Sequence, residues 1–333
     1  LDQAIAAWER LQKLRPTSSL VPAAAYWTAR VHGLQGDKEG EARELAAVLT
    51  KWPASGYAWF AAERTGVRFE AQSPVEAPPW PDSLAHRTEV VRSEALLDAG
   101  FRHWAAAELA PIKKAASQGG RDTALAAAWK FIAVGEYRAG RSLAMPYCVK
   151  PWKEGDNLAK QACTPRPEEA IVRGVTTKYA LEPLLPFGIM NAESGLDPSV
   201  TSLAGARGLM QLMPKEAPRI HEQLYDNDNF NADNLYHGPY NASLGTAELG
   251  LKQQELGTVL STSSLPAVIA SYNAGIEPVR RWLSAYGERP TFDDFTEDIG
   301  YTETRRYVKR VLGFLLEYRM VYGDLPAIEG ENQ

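Results

Sequence analysis

One glutamate has surroundings unlike those of a surface carboxylate. Glu193 follows Leu185 and Ile189 at intervals of four residues, which places it on the apolar face of a predicted helix. Gly195 and Asp197-Pro198 end that helix directly afterwards. Burial and the negative end of the helix dipole both raise the pKa of such a carboxyl group. The pattern predicts an acid that keeps its proton near neutral pH, as donation to a glycosidic oxygen requires.

A structural role for Glu193 is the alternative interpretation. The carboxylate would then pair with an arginine such as Arg207 or Arg305, and the helix pattern alone favours neither reading. Most glycosidases also need a second carboxylate close to the acid. Near Glu193 the sequence offers only Asp197, which precedes Pro198 and is expected to cap a turn. A partner carboxylate from elsewhere in the fold stays open.

Three later segments carry residues suited to a sugar ligand. Residues 205–214 combine glycines, which allow close backbone approach of a ligand, with Gln211, whose amide can both donate and accept. Tyr272-Asn273-Ala274-Gly275 places an aromatic ring beside a small, polar turn. Residues 303–308 place Glu303 at a helix start, where an exposed acid stabilised by the helix dipole is an equally good interpretation.

Taken in order, these segments resemble the catalytic domain of the family 1 lytic transglycosylases, a goose-type-lysozyme-like domain. The matching positions are Glu193-Ser194 with Pro198, Gly205 to Pro214, Asn241 with Gly245-Thr246, Tyr272 to Gly275, and Glu303 to Val308. The usual pattern is interrupted by Arg207, Ser271 and Arg306, which replace residues that are commonly small.

The resemblance implies a reaction and a set of site residues. Glu193 would protonate the oxygen between N-acetylmuramic acid and N-acetylglucosamine in peptidoglycan. As a carboxylate it would then accept the proton of the muramic C6 hydroxyl, which closes a 1,6-anhydro ring. Tyr272 would lie near the acid. The other substrate-binding positions would be Ser202, Gln211, Met213, Asn273 and Glu303.

The elements upstream are predicted to be helices as well. In the first 68 residues apolar positions recur every three or four residues, typical of short helix pairs similar to tetratricopeptide repeats, which stack as a solenoid. Because the first repeat looks incomplete and no Met opens the chain, we expect the solenoid to continue upstream. Ser73 to Pro81 is predicted to be a linker. Helical periodicity resumes at Arg87, with interruptions expected at Gly119-Gly120 and Gly140.

These patterns predict an all-α protein with three domains. Residues 1–80 form the superhelical segment, 81–150 a helical linker domain, and 151–333 a lysozyme-like catalytic domain. The stretch from Met145 to Pro167 is expected to be an irregular connector. It contains Cys148 and Cys163, for which a disulfide is slightly favoured over two unrelated buried thiols.

Composition excludes several classes of protein. The chain is 45% hydrophobic and 23% charged with a net charge of −5, which argues against a dedicated nucleic-acid binder. No apolar run is long enough for a transmembrane helix. Scattered histidines and two cysteines predict no metal site and no cofactor.

The expected partner is the peptidoglycan glycan strand, in the periplasm of a bacterial envelope, with a further protein partner possible on the solenoid. Two other functions stay open. One is a goose-type-like muramidase that hydrolyses the same bond with water. The other is a catalytically degenerate scaffold that only binds peptidoglycan, for which solenoids are suited.

Overall fold

A computed structural model describes residues 1–148, 156–227, 229–261 and 263–324. Within these ranges the regular structure consists of nineteen α-helices and two 3-10 turns, with isolated β-bridges only. The prediction of an all-α fold is confirmed. None of the described helices is long and apolar enough to cross a membrane.

The first module contains four helices, each packed on the next: α1 (Asp2–Leu14), α2 (Val21–Leu34), α3 (Lys38–Lys51) and α4 (Gly56–Thr65). Polar caps fix two of their starts, because the side chain of Asp37 accepts the Gly40 amide and that of Ser55 accepts the Ala58 amide. No residue of α1 is buried, whereas the middle of α4 is buried throughout. The helix pairs occur where the periodicity predicts them, and their likeness to tetratricopeptide repeats stays a prediction.

The linker after α4 is extended, as its prolines predict, and it is held in place. Ala71 forms a bridge with Tyr322, and the Phe69 amide donates to the Asp324 carboxylate at 2.7 Å. The linker therefore lies beside residues 322–324 before the second module begins.

The second module has a hydrophobic core of its own, which extends from Trp80 to Cys163. Its helices are α5 (Asp82–Ala85), α6 (Thr88–Asp98), α7 (Arg102–Leu109), α8 (Ile112–Gln118), α9 (Gly120–Ala133), α10 (Tyr137–Ala144) and α11 (Asn157–Cys163), with a 3-10 turn at Met145–Tyr147. Cys148 and Cys163 form a disulfide, so the preferred alternative for the two cysteines is confirmed.

Two local predictions for this module are wrong. Gly140 does not interrupt a helix but lies inside α10, where a Cβ atom would meet the Ala128 carbonyl oxygen at 2.6 Å, so glycine permits close packing on α9. The stretch from Met145 to Pro167 is also more than a connector, since it contains α11, whose first turn is capped by Asp156. Residues 149–155 of that stretch lie outside the described residues.

The third module contains α12 (Glu169–Tyr179), α13 (Leu185–Glu193), α14 (Ala217–Tyr225), α15 (Gly238–Leu256), α16 (Leu265–Ala274), α17 (Ile276–Leu283), α18 (Phe292–Asp298) and α19 (Thr302–Tyr322), with a 3-10 turn at Ala232–Tyr236. The long helix α19 packs on both α13 and α16. These contacts bring the ends of α13 and α16 and the start of α19 to one side of the module.

The first and third modules share one hydrophobic core. At their junction Asp293 of α18 is fully buried, accepts the Tyr26 hydroxyl at 2.6 Å, and pairs with Arg64 through both carboxylate oxygens. A buried carboxylate is tolerated only when it has such partners. The bonds from Tyr26 and Arg64 to Asp293 therefore hold the first module against the third.

Candidate active site

Glu193 is the last residue of α13, as its sequence predicts, and its side chain is half-buried. The Tyr307 hydroxyl, from the inward face of α19, donates to Glu193 Oε1 at 2.6 Å. Arg310, one turn further along α19, stacks over the Tyr307 ring at 5.6 Å and donates to the Ala192 carbonyl at 3.2 Å. The carboxyl group is therefore held by a neutral tyrosine, with a cation nearby.

Burial raises the pKa of Glu193 above its usual value. The Tyr307 hydrogen bond and the Arg310 charge oppose this increase, because both stabilise the anion, and the carboxylate of Glu248 reinforces it. The net direction is upward. A carboxyl group in this environment keeps its proton at a higher pH than an exposed glutamate does, which suits a general acid.

Neither arginine considered as a structural partner pairs with Glu193. The Arg207 guanidinium donates to Asp233 Oδ1 and to the Ala232 carbonyl, each at 3.0 Å. Arg305 donates to the Glu297 carbonyl at 2.9 Å. The interpretation of Glu193 as half of a structural ion pair with either residue is therefore wrong.

Residues 205–214 form a loop that is held against the end of α13. Ser194 Oγ donates to the Leu209 carbonyl at 2.8 Å. From α15, the fully buried Asn241 accepts the Met210 amide and donates to the Arg207 and Leu235 carbonyls. All three hydrogen bonds join the Asn241 side chain to backbone groups. Asn241 therefore fixes the loop in one conformation.

Other residues of the protein pack closely against Gly208. Its φ is +79°, and a Cβ atom there would lie 2.2 Å from the Leu235 carbonyl oxygen. The sequence predicts that the glycines of this loop allow close backbone approach of a ligand. At Gly208 that expectation is wrong, because the space is filled by the packing of the loop on α15 and the preceding turn.

The three candidate groove residues near this loop are half-buried. Gln211 has a φ of +51° and donates its amide hydrogens to the Val200 and Gly208 carbonyls, which leaves the amide oxygen as the acceptor available to a ligand. Ser202 Oγ accepts the Ala206 amide at 3.0 Å. Met213 follows at the end of the loop. The donor function expected for Gln211 is thus committed to the backbone.

Tyr272 joins the loop to α16, because its hydroxyl donates to the Met210 carbonyl at 2.8 Å. Burial raises its pKa well above the usual value, and the charges of Glu248 and Glu193 add to that effect, so the hydroxyl stays protonated. Asn273 is exposed and accepts the Thr304 hydroxyl at 2.7 Å, which ties α16 to the start of α19. Glu303 is exposed in the first turn of α19.

At three positions the chain departs from the family pattern. Ser271 is buried and donates to the Val268 carbonyl, whereas Arg306 is exposed. Arg207 is paired with Asp233, as described above.

Sequence reasoning missed two residues of the site, Tyr307 and Glu248. Tyr307 was noted only as part of a motif, although it shares the inward face of α19 with Val308 and Val311. Glu248 lies on α15 between Gly245 and Lys252, and its side chain is 12% exposed. The interruption of an otherwise buried helix segment by a glutamate was the available signal.

Glu248 has its own cation. Lys252 Nζ lies 3.4 Å from Glu248 Oε1, one helical turn away, and its side chain is 13% exposed. Burial raises the pKa of Glu248, and Lys252 opposes the increase. The site therefore contains two carboxyl groups, Glu193 bonded to a tyrosine and Glu248 paired with a lysine, and the charge of Glu248 raises the pKa of Glu193.

The fold and the site together define an all-α protein of the lytic transglycosylase fold, with a half-buried acid at a helix end. Its shape matches the crystal structure of the 70 kDa soluble lytic transglycosylase from Escherichia coli with a TM-score of 0.66 and 23% identity, over 90% of this chain and 46% of that one. A lytic transglycosylase Slt from Pseudomonas aeruginosa, solved as an inactive mutant, matches with a TM-score of 0.67 and 22% identity, over 96% and 49%.

Residues 171–295 match the family described as Transglycosylase SLT domain, so the resemblance read from the motifs is confirmed. The chain is 29% identical over 304 residues to the soluble lytic murein transglycosylase of E. coli K12, which covers 91% of this chain and 44% of the relative. The corresponding protein of Salmonella typhimurium is 32% identical over 161 residues, 48% of this chain and 23% of the relative. The chain thus spans less than half the length of these relatives.

Proposed function

We propose that the protein is a lytic transglycosylase that cleaves the β-1,4 bond between N-acetylmuramic acid and N-acetylglucosamine in peptidoglycan. The observation that carries the proposal is Glu193, whose carboxyl group has a raised pKa and accepts a hydrogen bond from a neutral tyrosine. Membership of residues 171–295 in the SLT family supports the substrate class. The site of action is the bacterial periplasm.

The reaction needs one residue in two protonation states. Protonated Glu193 donates to the glycosidic oxygen as the bond to the anomeric carbon breaks, so the leaving sugar departs as a neutral alcohol. The resulting carboxylate accepts the proton of the muramic C6 hydroxyl, whose oxygen bonds to the anomeric carbon. Tyr307 can donate throughout the cycle because burial holds its pKa well above the usual value. Because Glu193 gains the proton of the C6 hydroxyl, it ends the cycle protonated.

The neighbouring residues would shape the groove. Tyr272 holds the Met210 carbonyl, and Gln211 keeps an amide oxygen for a sugar hydroxyl or N-acetyl N–H group. Ser202 and Met213 complete the wall formed by this loop. Asn273 and Glu303 lie at the junction of α16 and α19, where they would position the sugar on the far side of the acid.

The proposed domains are a superhelical segment at 1–80, a linker domain at 81–150 and the catalytic domain at 151–333. The separate core that extends from Trp80 to Cys163 supports a distinct middle unit, and α11 extends the packing of that unit beyond residue 150. A protein partner on the first four helices belongs to the same proposal, on the basis that stacked helix pairs present extended binding surfaces.

A hydrolytic reaction is the second candidate, and Glu248 is the observation that favours it. Inverting glycosidases use a second carboxylate to activate water, and Glu248 is a largely buried carboxylate whose charge acts on Glu193. Lys252 favours the anionic form that a general base requires, although burial keeps the net pKa of Glu248 above its usual value. The nature of the product distinguishes this candidate from the transglycosylase.

The deciding experiment is mass spectrometry of the material released from purified peptidoglycan sacculi. Fragments lighter than hydrated muropeptides by one water and resistant to borohydride reduction are expected. Hydrated, reducible ends would instead identify a hydrolase. If no fragments are released, the protein is a binding scaffold and the proposal fails.

Glu193→Gln is the matched variant, since it keeps the size and shape of the side chain but cannot cycle a proton. Release of fragments should fall by at least about 10³-fold while sacculus binding is retained. Glu255→Gln, which changes an exposed glutamate of α15 that pairs with Arg280, is the control and should retain the activity. Unchanged release by Glu193→Gln would remove Glu193 from the mechanism.

A further inference from the structure

A cavity of about 550 Å³ lies between the second and third modules, apart from the candidate active site at Glu193. One wall comes from the turns that precede α7 and α10, and the other from Pro198 and residues 236–239. Glu193, Gln211 and Tyr272 do not line it. The volume is within the range of about 300–1,000 Å³ that is typical of ligand sites.

Exposed aromatic rings line the second-module wall. Phe101 and Trp104 are 57% and 65% exposed, with ring centroids 6.1 Å apart and planes inclined by 35°. Tyr236 on the opposite wall is 37% exposed. Isolated exposed apolar residues are ordinary, but contacting aromatic rings at the mouth of a cavity form a surface on which a ligand with a flat apolar face can stack.

The polar groups of the cavity hold its two walls together. Arg102 Nη1 donates to Glu168 Oε1 at 3.1 Å, and the Tyr137 hydroxyl donates to the same oxygen at 2.9 Å. Arg102 and Tyr137 belong to the second module, whereas Glu168 precedes α12 of the third. Beside this cluster, Arg138 pairs with Asp197 at 3.0 Å. These bonds across the junction preform the cavity, which lowers the ordering cost of binding.

The third-module wall is continuous with the groove. The Tyr236 hydroxyl shares a 2.7 Å hydrogen bond with Thr201 Oγ1, and Thr201 precedes Ser202. The Arg207 guanidinium lies over the Tyr236 ring at 5.2 Å and belongs to the loop that carries Gln211. The segment 201–211 therefore connects Gln211 to the Tyr236 side of the cavity.

The charges of the cavity favour a neutral ligand. Among the described lining residues Arg102 is the only arginine or lysine, and its charge is already matched by Glu168. A phosphate-rich ligand would need additional cations, and a peptide stem with several carboxylates would need them too. A glycan backbone of N-acetylated sugars needs aromatic faces and a few hydrogen-bonding groups, which the cavity provides.

We propose that this cavity is a distal glycan subsite, in which Trp104 and Phe101 stack on N-acetylhexosamine units of the strand several sugars away from the bond cleaved at Glu193. This inference rests on the proposed function for its ligand class. The second module then contributes directly to substrate binding, and long glycans gain contacts that short ones do not reach.

The test is binding of defined oligosaccharides to the full chain carrying Glu193→Gln, measured by isothermal titration calorimetry. The probes are the hexamer and the dimer of β-1,4-linked N-acetylglucosamine, together with a free stem tetrapeptide. Trp104→Ala and Phe101→Ala are compared with Val91→Ala, an exposed residue of α6 that does not line the cavity. Thermal melting verifies that each variant is folded.

Trp104→Ala and Phe101→Ala should each weaken hexamer binding about tenfold and leave dimer binding unchanged, whereas Val91→Ala should affect neither. Equal hexamer affinity in all variants, or no hexamer binding to the parent chain, would overturn the proposal. Tetrapeptide binding that depends on Trp104 would overturn it as well, by assigning the cavity to the peptide stem. Because the readout is binding, a failure of the catalytic proposal would be seen separately, in the products released from sacculi.

Discussion

The pKa of Glu193 is set by neighbours that act in opposite directions. Two variants, Tyr307→Phe and Glu248→Gln, should therefore move it in opposite directions. The Tyr307 hydroxyl donates to Glu193 Oε1 at 2.6 Å and lowers the pKa of the carboxyl group, whereas the charge of Glu248 raises it. The general acid works only when protonated. The rate should therefore fall as the pH rises through the pKa of Glu193, so the alkaline limb of the profile reports this group.

Tyr307→Phe removes the hydrogen bond but keeps the ring. A hydrogen bond to a charged group contributes about 1.5–3 kcal/mol to stability. Because about 1.36 kcal/mol changes the ratio of protonated to ionised carboxyl tenfold, the variant should hold a protonated fraction roughly ten- to a hundredfold larger at high pH. The pKa of Glu193 goes up, and the alkaline limb moves to higher pH.

Glu248→Gln should move the same limb in the opposite direction. Removing the negative charge makes ionisation of Glu193 less unfavourable, so its pKa goes down and activity is lost at lower pH. The displacement should be smaller than that of Tyr307→Phe, because Glu248 has the weaker influence on Glu193. If the protein is a transglycosylase, Glu248→Gln should keep a measurable kcat/KM at the pH optimum. If it is a hydrolase that uses Glu248 as its base, kcat/KM should fall about 10²–10⁴-fold.

The assay is the pH dependence of kcat/KM for muropeptide release from sacculi. Tyr286→Phe is the matched control, since Tyr286 donates to Asp298 at 2.7 Å in an exposed pair away from the site. Glu255→Gln is the control on α15, where Glu255 pairs with Arg280. Displacements of Tyr307→Phe and Glu248→Gln in the same direction would refute the reasoning, as would a limb that neither variant moves.

Three further predictions concern stability. Asn241→Ala should lower the free energy of unfolding by about 3 kcal/mol in urea titrations, because it leaves two buried and one part-buried backbone group without their partner. An unchanged midpoint would contradict the role given to this residue. Asp293→Ala should cost about 3–5 kcal/mol by leaving Arg64 unpaired. Although burial raises the pKa of Asp293, the hydrogen bonds from Thr291 and Tyr26 and the Arg64 charge outweigh it, so the pKa is lowered. This contribution is present above the unfolded-state pKa and is lost as the pH falls through the lower folded-state value, so the gap between parent and variant should narrow in acid. Replacing Cys148 and Cys163 by serine should cost about 3 kcal/mol, and dithiothreitol should lower the Tm of the parent chain but not of that variant.

Local periodicity was sufficient to predict the helical class and the position of the acid. The spacing of Leu185, Ile189 and Glu193 requires one helix face, and Gly195 limits the helix, so the end of α13 follows from short-range rules. The same reasoning failed at Gly140 and α11. In the first case a glycine serves close packing with α9, and in the second the helix depends on a cap and on contacts made across the module.

The hydrogen-bond and charge neighbours of Glu193 were decided by tertiary structure. Tyr307 lies 114 positions away along the chain, and no local pattern specifies that its hydroxyl reaches the acid. The influence of Glu248 depends on how α15 packs beside α13, and the distal cavity depends on how the second module meets the third. Sequence spacing determines which face of a helix a residue occupies, because the backbone repeat is fixed by geometry. Which residues face each other depends on the packing of many helices at once, and that packing determines desolvation, charge neighbours and hence the proton affinity of the acid.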